Sequence, residues 1–143
     1  MKRLVLTGLV LVVGLGAVLA DSDAIVQRRA LMKANGDATK IVVGMLKGAP
    51  FDLGAVQAAL KSYGEAAAKA PALFPDDSQT GDTNALPEIW DNKADVNARF
   101  AKLAQDVAAA STGIVDSASF QAQMPGVLKN CGGCHEKYRA KKT

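Results

Sequence analysis

The chain has 143 residues, with 17 Lys plus Arg against 14 Asp plus Glu and a single His. That is one domain's worth of sequence, long enough for an apolar core without disulfides; 49% hydrophobic and 22% charged residues exclude a disordered chain or a coiled coil. Without Lys2 and Arg3, which lie in a segment expected to be removed, the formal charge falls from +3 to +1, too little for a nucleic-acid-binding surface, and 5% aromatics disfavours a β-sandwich or barrel.

Met1-Lys2-Arg3 is a short basic head, Leu4 to Leu19 carries no charge, and Val18-Leu19-Ala20 places a small residue before the polar Asp21-Ser22-Asp23. This is the three-part pattern of a secretory signal peptide over residues 1–20, with the cut expected after Ala20 and a working domain over 21–143. The apolar run is short for a membrane span and is broken by Gly8, Gly14 and Gly16, so no stable membrane anchor is expected.

Residues 22 to about 48 show helical spacing at Ile25, Met32, Val43 and Leu46, with Ser22 or Asp23 as N-cap and Gly48-Ala49-Pro50 as the stop. Asn35-Gly36 resembles a turn, but the period resumes in phase at Val43 and the helix is read through it. A second helix runs from a cap at Asp52 to Ala70, with Leu53, Val56, Leu60 and Tyr63 on one side and Pro71 closing it. The stretch Pro75 to Asn84 is an irregular loop. Pro87 suits the first turn of a third helix, whose stripe of Ile89 or Trp90, Val96 or Ala94, Phe100, Leu103 and Val107 fades at Ser111-Thr112-Gly113. A fourth starts near Ser117, carries Phe120, Met124, Val127 and Leu128, and is expected to kink at Pro125 without ending. Four helices with one long and two short connections describe an all-α, antiparallel four-helix bundle.

The chemistry is concentrated in Cys131-Gly132-Gly133-Cys134-His135, which holds both cysteines and the only histidine. On a helix these are related as i, i+3 and i+4, so two sulfurs and an imidazole share one face. That pattern suits covalent attachment of haem c through two thioethers, with His135 reaching the iron. A disulfide across two intervening residues would close a very small loop and needs no histidine. A thioredoxin-like pair belongs near a βαβ unit, and a zinc site wants four ligands. The disulfide leaves the histidine unexplained, the chain has no βαβ unit, and it offers a zinc ion only three soft ligands. With His135 unique, methionine is the remaining common ligand for the sixth position. Met124 lies eleven residues before His135 on the same helix, about 16 Å along its axis, and cannot reach the opposite haem face. Met45 is off the best stripe of its helix. Met32 is mid-helix on the inward stripe, placed either to ligate iron or to fill a core gap.

The chain resembles the class II c-type cytochromes, the group of cytochrome c′ and its low-spin relatives. The resemblance rests on Cys131 to Arg139 (Cys-x-x-Cys-His-x-x-Tyr-Arg), on Pro87-Glu88-Ile89-Trp90, on Arg28-x-x-x-Met32 with Asn35-Gly36, and on Lys47-Gly48 before Pro50-Phe51-Asp52. It implies a periplasmic four-helix bundle, often a homodimer, with one haem c in its core near the C-terminal helix. Cys131 and Cys134 would be the thioether anchors, His135 the proximal ligand, and Met32 the residue over the distal face. In cytochrome c′ proper the distal side chain leaves iron five-coordinate and open to NO or CO. In the low-spin relatives a methionine there ligates iron, and the protein passes electrons to redox partner proteins. Arg28 matches an arginine of the cytochrome c′ pattern beside a haem propionate; Arg29 stands where that pattern commonly has a glutamine and joins it as a haem-binding candidate. Against that reading, both arginines could reach out to solvent. The stretch Leu31 to Gly36 looks more like the low-spin group, so His135/Met32 ligation and electron transfer, without enzymatic turnover, are the expectation. Arg139 is a candidate to tune His135, and Lys129, Lys137, Lys141 and Lys142 are either a docking patch for an acidic partner or a solvated face.

Overall fold

A computed structural model describes residues 15–141; the first fourteen residues of the expected leader lie outside the described residues. Helix α1, Leu15–Leu46, already runs through Ser22 and Asp23, so neither caps it as expected: helix-compatible leader residues precede them. The helix also continues through Asn35-Gly36. Its inward side is partly polar there: Ser62 Oγ donates to Asn35 Oδ1 at 2.9 Å, and Thr39 Oγ1 and Tyr63 OH share a hydrogen bond of 2.9 Å. These partners leave Asn35 no need to bond its own backbone, which is what turns it into a turn residue elsewhere.

Helix α2, Leu53–Lys69, is capped by Asp52, which accepts from the Ala55 N–H at 3.0 Å. Two tight turns of 3-10 type, Ala70–Leu73 and Asp76–Ser78, lead into the long loop. The expected third helix is divided into a single turn, α3 (Glu88–Asp91), and α4 (Lys93–Gly113). Asn92 makes the break. Its side-chain Nδ2 donates to the Glu88 carbonyl at 2.9 Å, taking the acceptor its own N–H would use in a continuous helix, and that N–H turns to Ile89 O instead. Helix α5, Ser117–Tyr138, opens on a capping box between Asp116 and Ser119 and passes through Pro125 without ending.

The bundle packs α1 on α2, α2 on α4 and α4 on α5. One core, at the end away from the Cys-x-x-Cys-His segment, gathers Val42, Met45, Leu60, Tyr63, Phe120 and Met124. The second, smaller cluster joins Ile89, Val96, Phe100 and Tyr138, with Met32, Phe74, Trp90 and Cys134 packed against it. Met45, expected off the stripe, is in fact buried, and its sulfur accepts the Asp52 N–H at 3.3 Å.

Phe120 is fully buried and its ring meets Phe51 at 5.6 Å between centroids. Phe120→Ala should destabilise the fold by about 3–5 kcal/mol, read by denaturant unfolding. On the exposed side of α1, Asp37 accepts from Lys33 Nζ at 2.6 Å and Lys40 Nζ at 2.9 Å, and these cations, Lys33 foremost, hold its carboxyl down to about 2. An unfolded Asp titrates near ~3.9. As pH falls from there towards 2 the unfolded state binds the proton first, so this contribution is present above pH ~4 and lost below it. Asp37→Asn should flatten the fall of Tm across that window.

Candidate functional site

The fourth side of the bundle, between α1 and α5, opens into a cavity of about 500 Å³, a volume suited to a cofactor. Met32 and Gly36 line it from α1, Cys134 and His135 from α5, Val96 and Phe100 from α4, Ile89 from α3, and Phe74 from the long loop. Met32 and His135 thus come to one cavity from different helices, while Met45 and Met124 belong to the other core. Of the three methionines weighed from spacing, Met32 alone shares the cavity with the histidine, as expected of it.

His135 sits one helical step after Cys134, in the last turns of α5. Burial, and then the charge of Arg139, push its imidazole below the ordinary histidine range, so it is held in the neutral form that donates a lone pair to a metal. Among the described residues its ring nitrogens make no hydrogen bond to protein. Cys131 and Cys134 are free and half-buried, and burial pushes both thiols up. Cys134 faces the cavity; Cys131, one turn earlier, lies within electrostatic reach of Tyr63. A Cβ built on Gly36 would meet nothing within 4 Å, so the cavity has open space beside α1 at this point. An unpartnered imidazole, two unbridged thiols on the same helix face and a cavity with apolar walls fit a covalently held haem.

Arg28 does not reach solvent. It is 3% exposed and donates to Leu73 O (3.1 Å), Ser78 Oγ (2.8 Å), Ser78 O (2.8 Å) and Thr83 Oγ1 (2.9 Å), while its guanidinium lies 5.2 Å from the Phe74 ring centre and 5.7 Å from that of Trp90. Trp90 Nε1 in turn donates to Pro75 O at 2.8 Å. Arg28 therefore fastens the loop over residues 73–83 to α1, one turn before Met32. Arg29 lies on the rim, half-exposed, and pairs with Asp82. Both arginines line the cavity, as do Lys33, Lys40 and Arg139 against a single acid, Asp37, which pairs with the two lysines, so cations outnumber anions at a mouth suited to anionic substituents of a bound group.

The far end is closed by pairing that sequence reasoning missed. Residues 84–86 run antiparallel to 138–140: Ala85 bridges Arg139, Leu86 N–H donates to Tyr138 O at 3.1 Å, and Ala140 N–H to Asn84 O at 2.9 Å. No alternating pattern marks three residues of strand-like backbone. Lys137 pairs with Asp95 at 3.2 Å, Lys129 lines a groove between α4 and α5, and Lys142 lies outside the described residues.

Comparison with known proteins agrees with this geometry. The profile of the family described as Cytochrome C′ matches residues 23–139. The chain is 49% identical over 140 residues to cytochrome c′ of Rhodopseudomonas palustris, covering 96% of this chain and 95% of that protein. It is 35% identical over 147 residues to cytochrome c-556 of the same organism, covering 99% of each. The solved structure of the R. palustris cytochrome c′ superposes with a TM-score of 0.81 at 50% identity, over 85% of this chain and 98% of that one. The chain belongs to the cytochrome c′ family, the class II c-type cytochromes, and carries one covalently attached haem c.

Proposed function

We propose that this electron carrier holds haem c through Cys131 and Cys134, with His135 and Met32 as the two axial ligands of a six-coordinate iron. The observation that carries the reading is the single cavity to which α1 brings Met32 and α5 brings His135 and Cys134. The haem supplies the one-electron redox couple, and methionine ligation raises its potential. The chain's own residues do the rest. Both ligands sit on long helices rather than on loops, so they keep their places when the charge at the centre changes. Phe74, Val96 and Phe100 keep water from the walls, and the cationic mouth offsets negative charge on the cofactor's edge. Arg28 and Arg29 bind that edge in this reading, Arg28 while also fastening the loop. No catalytic turnover is needed for such a carrier.

A second reading has a specific observation behind it: identity to the relative named cytochrome c′ is higher than to the one named cytochrome c-556. In it Met32 stands over the iron without bonding, and NO or CO binds there. Export belongs to the same proposal, with a signal peptide over 1–20, a bundle domain over 21–143 and a periplasmic location; the pattern of Lys2-Arg3, apolar run and Ala20 supports it. Among the described residues no helix is long and apolar enough to cross a membrane. A homodimer belongs to the same proposal.

The reduced protein should show a sharp α-band that carbon monoxide leaves unchanged, and Met32→Ala should turn it into a broad high-spin spectrum that shifts on adding the gas. A wild-type spectrum already of the second kind selects the gas-binding reading. Intact mass of the protein purified from an exporting host should correspond to a chain starting at Asp21 with one haem added.

A further inference from the structure

Around the haem-attachment segment, α4 makes a set of contacts that the ligand assignments do not use. Three donors converge on one oxygen of Asp95: Tyr138 OH at 2.5 Å, Arg99 Nε at 2.9 Å and Lys137 Nζ at 3.2 Å. Together they hold the carboxyl well below the usual carboxylate range, Tyr138 foremost. Arg99 also donates through its terminal nitrogen to Gly133 O at 3.1 Å, and its guanidinium lies 5.6 Å from the centre of the Tyr138 ring. Lys137 Nζ lies 4.9 Å from the same ring.

Gly133 and Tyr138 flank Cys134 and His135. The Asp95–Arg99 pair therefore grips α5 on both sides of the residues that line the cavity: at a backbone carbonyl two residues before the histidine, and at a buried ring three residues after it. Tyr138 is 3% exposed, lines the cavity and packs in the same apolar cluster as Cys134. Its hydroxyl is drawn to Asp95, which fixes the rotation of the ring and, with it, of the last turn of α5. Groups behind a metal-binding histidine set its orientation; among the described residues none bonds the His135 ring, and the hold is on the turn that carries it.

We propose that Asp95 is a positioning residue for the iron–histidine bond, acting through Tyr138 and Arg99 on the turn of α5 that presents His135. This inference rests on His135 as the iron ligand but not on Met32, so its test is run in a Met32→Ala background, where the ferrous haem is five-coordinate under either reading of the distal side. Haem-loaded proteins carrying Asp95→Asn, Asp95→Glu or Tyr138→Phe are compared by the iron–histidine stretching band in resonance Raman spectra, by the rate of CO binding and by Tm. Asp95→Asn should shift or broaden the band and change the CO rate by roughly tenfold, the lower end for loss of a supporting partner. Tyr138→Phe should move both in the same direction, Asp95→Glu should restore them, and the Asp95→Asn/Tyr138→Phe double change should add little to either alone. An unchanged band and CO rate in Asp95→Asn, whether or not Tm falls, would overturn the proposal and leave Asp95 a purely structural residue. The wild-type spectrum with and without carbon monoxide tests Met32 separately, and absence of any iron–histidine band would reject His135 instead.

Discussion

The buried guanidinium of Arg28 is the interaction on which the open end of this bundle depends. A charged side chain kept from water is costly unless oxygen acceptors surround it. Here they come from Leu73, Ser78 and Thr83, all on a segment with little regular structure of its own. These bonds hold the loop in a shape that satisfies the arginine, and the rings of Phe74 and Trp90 stand about it in an edge-on pair at 5.8 Å. The cavity between α1 and α5 thus owes its ceiling to a cation on α1, and α1 also supplies Met32.

Two cores divide the labour along the bundle. The closed end is apolar, densely packed and built from all four long helices. The open end has a thinner shell, and its coherence comes from directed bonds: Arg28 into the loop, Trp90 to Pro75, and Asp95 and Arg99 to α5. Such an arrangement suits a protein whose second core is completed by a prosthetic group, because hydrogen bonds can define a surface that side-chain volume alone would leave collapsed.

The helices and the haem-attachment segment were legible because each follows a local rule: a 3.6 period, a cap at Asp52, and the i, i+3, i+4 geometry of Cys131, Cys134 and His135. What escaped was set by partners distant in sequence. The stripe of α1 drawn from apolar residues alone left Met45 outside, since part of the true inward face is polar. Asn35 and Thr39 face inward only because Ser62 and Tyr63 of α2 meet them. The split at Asn92 turns on one side-chain bond to Glu88 O, which hydrophobic periodicity cannot register. Arg28 was legible as an oddity, a charge on an inward face, but its neutral oxygen partners are 45–55 residues away in the chain.

The short antiparallel pairing of residues 84–86 with 138–140 bears on how the molecule breathes. The end of a helix is ordinarily among the first parts of a fold to open, at little cost in free energy. Here the last turn of α5 cannot fray by itself, because its backbone is latched to the loop that Arg28 fastens to α1. Opening around His135 therefore becomes a sub-global event that must release the loop as well. A site in the last turns of a helix thereby acquires the slow opening of a site in mid-helix.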